Sequence, residues 1–120
     1  MAEPAQQPLI SVITPVYNGV GTLDRAIRSV SAQTCREWEL IAVDDASTDA
    51  SYEHLCRWAA EDRRIRVLRL SENSGVSAAR NAAIANARSR MVTYLDQDDE
   101  YYPDYLARVA QFQERADVLV

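Results

Sequence analysis

The feature that most constrains this chain is a regular alternation of two kinds of segment. Short apolar, β-branched runs are each followed by a stretch with helical spacing. Leu9 to Val16 (Leu-Ile-Ser-Val-Ile-Thr-Pro-Val) reads as a buried strand. Thr22 to Thr34 places Leu23, Ala26, Ile27 and Val30 on one helical face, with Thr22 positioned as N-cap. Trp38 to Val43 is a second strand, Ala50 to Ala60 a second helix and Ile65 to Leu70 a third strand. Asn73-Ser74-Gly75 is a turn, Val76 to Arg88 an alanine-rich helix and Met91 to Leu95 a fourth strand. Pro103 to Arg115 predicts a helix with Pro103 in its first turn, and Asp117 to Val120 the start of a fifth strand. Such alternation predicts an α/β fold: a doubly wound, mostly parallel sheet, helices on both faces, right-handed crossovers.

Length and charge narrow the function. A chain of 120 residues fits one domain. A net charge of -5 gives no electrostatic case for nucleic acid or an anionic membrane surface. All 13 basic residues are arginines, so P-loop and Schiff-base chemistry, which need a lysine, are excluded. Cys35 and Cys56 fit no metal-ligand spacing and read as free thiols of a reducing compartment. His54, among polar neighbours, reads as a surface residue with no partner for a metal site. Residues 1–8 read as a disordered leader without a signal-peptide pattern. No apolar run approaches the roughly 20 residues of a membrane span, so the expected location is cytoplasmic. The ending Ala-Asp-Val-Leu-Val breaks off within an apparent buried strand, from which a piece of a longer protein is expected.

In a doubly wound sheet, ligands bind beyond the carboxyl ends of the strands, where strand order reverses. Tyr17-Asn18-Gly19 follows the first strand, Asp44-Asp45-Ala46-Ser47-Thr48-Asp49 the second, and Asp96-Gln97-Asp98-Asp99-Glu100 the fourth. With strand order 3-2-1-4, Tyr17 lies between the two acidic clusters. An aromatic face for a base and carboxylates for a hard divalent cation suit a nucleoside diphosphate. Capping of the helix after Pro103 needs only one or two of the four carboxylates in Asp96–Glu100. One of Ser47, Thr48 and Asp49 is expected to cap the second helix, which leaves Asp44 and Asp45 unexplained. Arg80, near a helix N-terminus that disfavours cations, requires an anionic partner: an acidic-loop carboxylate or a ligand.

Together these segments resemble the N-terminal half of family 2 glycosyltransferases, which have the Rossmann-like glycosyltransferase-A fold. The resemblance rests on Ser11-Val-Ile-Thr-Pro-Val-Tyr-Asn18, Ser29 to Thr34, Glu39-Leu-Ile-Ala-Val-Asp-Asp-Ala-Ser-Thr-Asp49, Asn73-Ser-Gly75 with Ala79-Arg-Asn81, and Leu95-Asp-Gln-Asp-Asp99 before Pro103. It implies a nucleotide-sugar-binding half over residues 9–120 and sugar transfer with inversion. By the same resemblance, Pro15, Val16 and Tyr17 line the base pocket, Tyr17 stacks, and Asp45 accepts the N–H of the base. Arg80 lies near the base or the acidic loop, and Asn18, Ser47, Gly75 and Gln97 belong to the nucleotide-binding set. Asp96 and Asp98 match the Asp-x-Asp motif for Mn²⁺ or Mg²⁺, with Asp98 the direct ligand and Asp99 extending it. UDP is the commonest donor nucleotide of such enzymes, and GDP, dTDP and CDP also occur. A saccharide or lipid-linked acceptor, and a place at the inner face of the membrane, are implied for the longer protein. The family's catalytic base lies further along, beyond Val120, with the acceptor half. The implication is a chain that binds nucleotide and metal without efficient transfer, and whose uncovered surface favours self-association.

Two rival classes compete. An aspartyl-phosphate protein shares the architecture, but its chemistry uses a lysine beside the phosphate. A non-enzymatic module could keep the fold without the donor site, and the intact acidic run argues against it.

Overall fold

The computed structural model describes residues 7–119, with side chains described through Phe112. The expected leader therefore lies largely outside the described residues. Four strands form one parallel sheet: β1 (Ile10–Val16), β2 (Trp38–Asp44), β3 (Ile65–Arg69) and β4 (Met91–Tyr94), in the order β3-β2-β1-β4. Helices α1 (Leu23–Ser31), α2 (Ser51–Glu61) and α3 (Val76–Ala85) cross between them, and α4 (Tyr105–Leu119) follows β4. The expected doubly wound α/β fold and strand order are both found.

The central strands are apolar because both of their faces are covered. All seven residues of β1 and all seven of β2 are buried. Ile10, Val12, Val16, Trp38, Leu40 and Ala42 pack with Leu23, Ala26, Ile27 and Val30 of α1, Leu55 of α2 and Leu106 of α4. The opposite residues, Ile13, Ile41 and Val43, meet only Ala79 and Ala83 of α3 as buried partners. Small alanines let that helix lie close to the sheet.

Several element boundaries differ from expectation. The fifth strand does not form: residues through Leu119 continue α4, and Val120 lies outside the described residues. Tyr105 to Leu119 contains no proline or glycine to stop a helix. Pro103 precedes α4 by a turn instead of opening it, and its carbonyl accepts the Thr34 N–H at 2.9 Å. Thr22 occupies the N-cap position of α1 but makes no side-chain cap bond, its hydroxyl turning to the Gly19 carbonyl. For α2, Asp49 Oδ1 accepts the Ser51 N–H at 2.9 Å from one residue ahead of the cap.

The register of β4 positions the site. It pairs with β1 only from Ile10↔Met91 to Ile13↔Tyr94, and Leu95 N–H adds one bond to the Ile13 carbonyl. On the other side β1 pairs with β2 through Val16. The last residues of β1 therefore face a notch where β4 has turned away. Pro15, which lacks an N–H, lies two residues beyond Ile13 and so points to this same side. A proline is tolerated here because no ladder partner remains for it.

Candidate functional site

The notch opens into a cleft of about 280 Å³ at the carboxyl edge of the sheet. Its wall is made by Pro15, Val16 and Tyr17 after β1, Asp45 after β2, Val76, Ala79 and Arg80 of α3, and Asp96, Gln97 and Asp98 after β4. This is the switch point between β1 and β4, where a doubly wound sheet binds ligands.

Backbone strain marks the same edge. Asn18 and Ala46 have φ of 48° and 60°, the left-handed region that non-glycine residues rarely adopt. Asn18 is held there by its own side chain. Its Oδ1 accepts the Thr48 N–H at 2.8 Å and the Asp49 N–H at 3.3 Å, while its N–H donates to Ser47 Oγ at 2.9 Å. The loops after β1 and β2 are thus tied together.

The carboxylates divide by how much of each is already used. Asp44 is fully buried; its Oδ2 accepts the Ser47 N–H at 3.0 Å and lies 3.5 Å from Arg69 Nε. Asp45 is buried, and its two oxygens accept the N–H groups of Ser74 at 2.7 Å and Gly75 at 2.9 Å. It anchors the turn that starts α3, where Gly75 has φ 96°. Asp96 is exposed and meets Arg80 at 3.3 Å, the anionic partner expected of that arginine, whose guanidinium also stacks 5.1 Å above Tyr94. Asp98 is exposed and makes no hydrogen bond or ion pair among the described residues. At the base of the acidic loop, burial pushes the Tyr101 hydroxyl well above its ordinary range. It donates to the Tyr94 carbonyl at 2.7 Å and sits 3.1 Å from the Thr93 hydroxyl, fixing the start of the loop.

The structure brings together Pro15, Val16, Tyr17, Asp45, Arg80, Asp96, Gln97 and Asp98 of the expected set. Asn18, Ser47 and Gly75 do not line the cleft; their polar groups brace its loops. Asp99 also stands outside, its N–H bonding back to the Asp96 carbonyl at 3.0 Å. Among the described residues no three His, Cys, Asp or Glu converge tightly enough to hold an ion alone. Asp96 and Asp98 instead fit a hard cation that takes part of its shell from phosphate and water. The lining sets three carboxylates against one guanidinium.

Sequence reasoning missed Val76, Ala79 and Tyr94. Period-2 alternation in β4, placing Tyr94 opposite the buried Thr93 and Leu95, was the available signal for the last. It also misplaced His54, which is half-buried with Nδ1 3.0 Å from Asp24 Oδ2, beside the Trp58 indole N–H on Asp24 Oδ1 at 2.8 Å. That cluster joins α1 to α2 away from the cleft.

TuaG of Bacillus subtilis, provisionally named a teichuronic acid biosynthesis glycosyltransferase, is 42% identical over 106 residues, covering 88% of this chain and 42% of TuaG. The structure of S. aureus TarS 1-349 with UDP-GlcNAc superposes with a TM-score of 0.83 at 29% identity, over 89% of this chain and 31% of that one. Mannosyltransferase PcManGT of Pyrobaculum calidifontis, solved with GDP-Man and Mn²⁺, superposes with a TM-score of 0.73 at 26% identity, over 82% and 30%. The chain thus spans less than half the length of these relatives. The family model described as Glycosyl transferase family 2 matches residues 11–120, and the chain belongs to that family, with the glycosyltransferase-A fold.

Proposed function

We propose that the cleft binds the nucleoside diphosphate of a sugar donor together with a divalent cation, and that the longer enzyme transfers the sugar with inversion. The observation that carries this is the convergence of Tyr17, Asp45, Arg80, Asp96 and Asp98 on one cleft at the sheet's switch point. In this reading the exposed ring of Tyr17 stacks on the base. Asp45 turns the lone pairs left over from Ser74 and Gly75 toward the N–H of the base, uracil in the preferred case. Asp98, without a partner among the described residues, is the direct metal ligand, and Asp96 shares its carboxylate between Arg80 and the cation. When bound, the cation neutralises the diphosphate and stabilises it as the leaving group. Mn²⁺ in the complex of PcManGT and UDP-GlcNAc in that of TarS support the choice of ligands. Product class follows the names of relatives such as TuaG, pointing to polysaccharide biosynthesis.

With Asp45, Asp96 and Asp98 assigned to the donor, this reading leaves no carboxylate of the cleft to serve as catalytic base, so it places the base outside the cleft and expects no efficient transfer from these residues alone. Calorimetric titration of the 120-residue chain with UDP tests the reading. Binding in Mn²⁺ that weakens sharply without it is expected. No heat in either condition sinks the proposal and leaves an inert module on the same fold.

A further inference from the structure

Gln97 does something that membership of an acidic motif does not require. Its side-chain Oε1 accepts the Tyr17 N–H at 2.8 Å, and its Nε2 donates to the Tyr17 carbonyl at 3.1 Å. Ile13, Pro15 and Tyr17 all direct their backbone groups to the same side of β1. Leu95 N–H closes the last true ladder bond at Ile13, Pro15 has no donor, and the Gln97 carboxamide then pairs with Tyr17 as a strand residue would. A side chain thus bridges the notch that the early end of β4 leaves open.

Gly19 reports the same contact independently. A Cβ there would lie 2.4 Å from Gln97 Oε1, while its φ is not in the left-handed range. The glycine is needed for the room it leaves, not for its backbone freedom.

We propose that Gln97 is a positioning residue that locks Tyr17, the base-stacking wall, to the loop bearing Asp96 and Asp98. In this role it acts through the Tyr17 backbone, to which both of its carboxamide bonds go. One carboxamide thereby couples the two halves of the donor site, so that ordering either side orders the other. The proposal rests on the nucleotide reading above.

The test uses the 120-residue chain with UDP and Mn²⁺. Gln97→Ala removes both bonds. Gly19→Ala displaces the flexible end of the Gln97 side chain while leaving the backbone of β1 intact. Each single variant is expected to bind UDP roughly five- to thirtyfold more weakly, the worth of two ordinary hydrogen bonds. The double variant is expected to match Gln97→Ala alone, because the added methyl group then has nothing to displace. In both singles the Tyr17 amide is expected to exchange with solvent faster than in the parent, read by NMR, while the amides of Val12 and Ile41 keep their protection. Gln97→Glu, which keeps the acceptor but sets an oxygen against the Tyr17 carbonyl, should not restore affinity. Singles that bind like the parent, or losses that multiply in the double, overturn the proposal. A parent that fails to bind UDP sinks the nucleotide reading instead, and an unchanged Tyr17 amide in Gln97→Ala then overturns the clamp on its own.

Discussion

Glu39 is the carboxylate whose loss should cost this fold most. It lies near the start of β2, at the end of the sheet away from the cleft, with a side chain only 5% exposed. Its Oε2 accepts from Ser11 Oγ at 2.6 Å and from the Arg88 N–H at 2.7 Å, and its Oε1 from Arg66 at 2.9 Å. One buried carboxylate thus joins β1, β2, β3 and the loop that leads into β4. In Glu39→Ala, Ser11 retains Ser89 and Arg66 retains the Asn86 carbonyl, but the Arg88 N–H loses the only acceptor seen for it among the described residues. A stranded amide costs about 1–3 kcal/mol, and a lost charge-assisted bond about 1.5–3 kcal/mol. Together they give about 2.5–6 kcal/mol, a range centred on the scale of breaking a buried ion pair. In a chain of this size that lowers the melting temperature by about 10–20 °C.

The acid limb checks the cause. Burial works to raise the Glu39 carboxyl, but bonds from Ser11, Arg88 and Arg66 outweigh it and hold it below its ordinary 4.5. A depressed carboxylate contributes stability that is fully present above 4.5 and lost as pH falls through the folded value. The gap between parent and Glu39→Ala, measured by urea denaturation, should therefore be constant near neutrality and shrink below pH 4.5. A gap under about 1 kcal/mol at neutral pH, typical of a surface change, or one undiminished in acid, would refute the reasoning.

Two further substitutions separate bracing from binding. Asp45→Asn keeps one acceptor but turns an NH₂ toward the Ser74 or Gly75 N–H; a loss of about 1.5–3 kcal/mol in chemical denaturation is expected together with weaker UDP binding. Asp98→Asn should leave stability within about 0.5 kcal/mol of the parent. It should reduce Mn²⁺-dependent UDP affinity by about tenfold or more and leave Mn²⁺-free titrations unchanged; equal losses in both would remove Asp98 from the metal.

Much of the fold was legible because each element obeyed one period. The spacing of Leu23, Ala26, Ile27 and Val30 gave α1 its buried face, and continuous apolar runs marked β1 and β2 as strands covered on both sides. The far end failed because Val118 and Leu119 after Asp117 look alike as strand or helix, and short apolar runs do not carry enough period to decide. The location of the cleft was legible from strand order alone. Its internal division of labour was not: Asn18 and Ser47 sit in the right loops, yet their polar atoms are spent on each other and on neighbouring backbone. Such pairings depend on loops that meet only in three dimensions. Pro15 was a readable signal passed over, since a proline in a central strand implies that the ladder is interrupted beside it.

Burial explains why similar acidic pairs take opposite roles. Asp44 and Asp45 end a strand enclosed on both faces, so donors within the chain offset the cost of burying them, and each oxygen of Asp45 accepts a backbone N–H of the turn that starts α3. Asp96 and Asp98 follow an edge strand that stops three residues short of the end of its neighbour, and both remain exposed. Water reaches both, and the one side-chain partner found for them among the described residues is Arg80 on Asp96, which leaves them available to an external cation. The early end of β4 therefore makes the cleft and also keeps Asp96 and Asp98 exposed. Extending β4 to pair with Val16 would fill the notch and replace the Gln97 bridge with ordinary ladder bonds, leaving a more regular sheet with no place for a ligand.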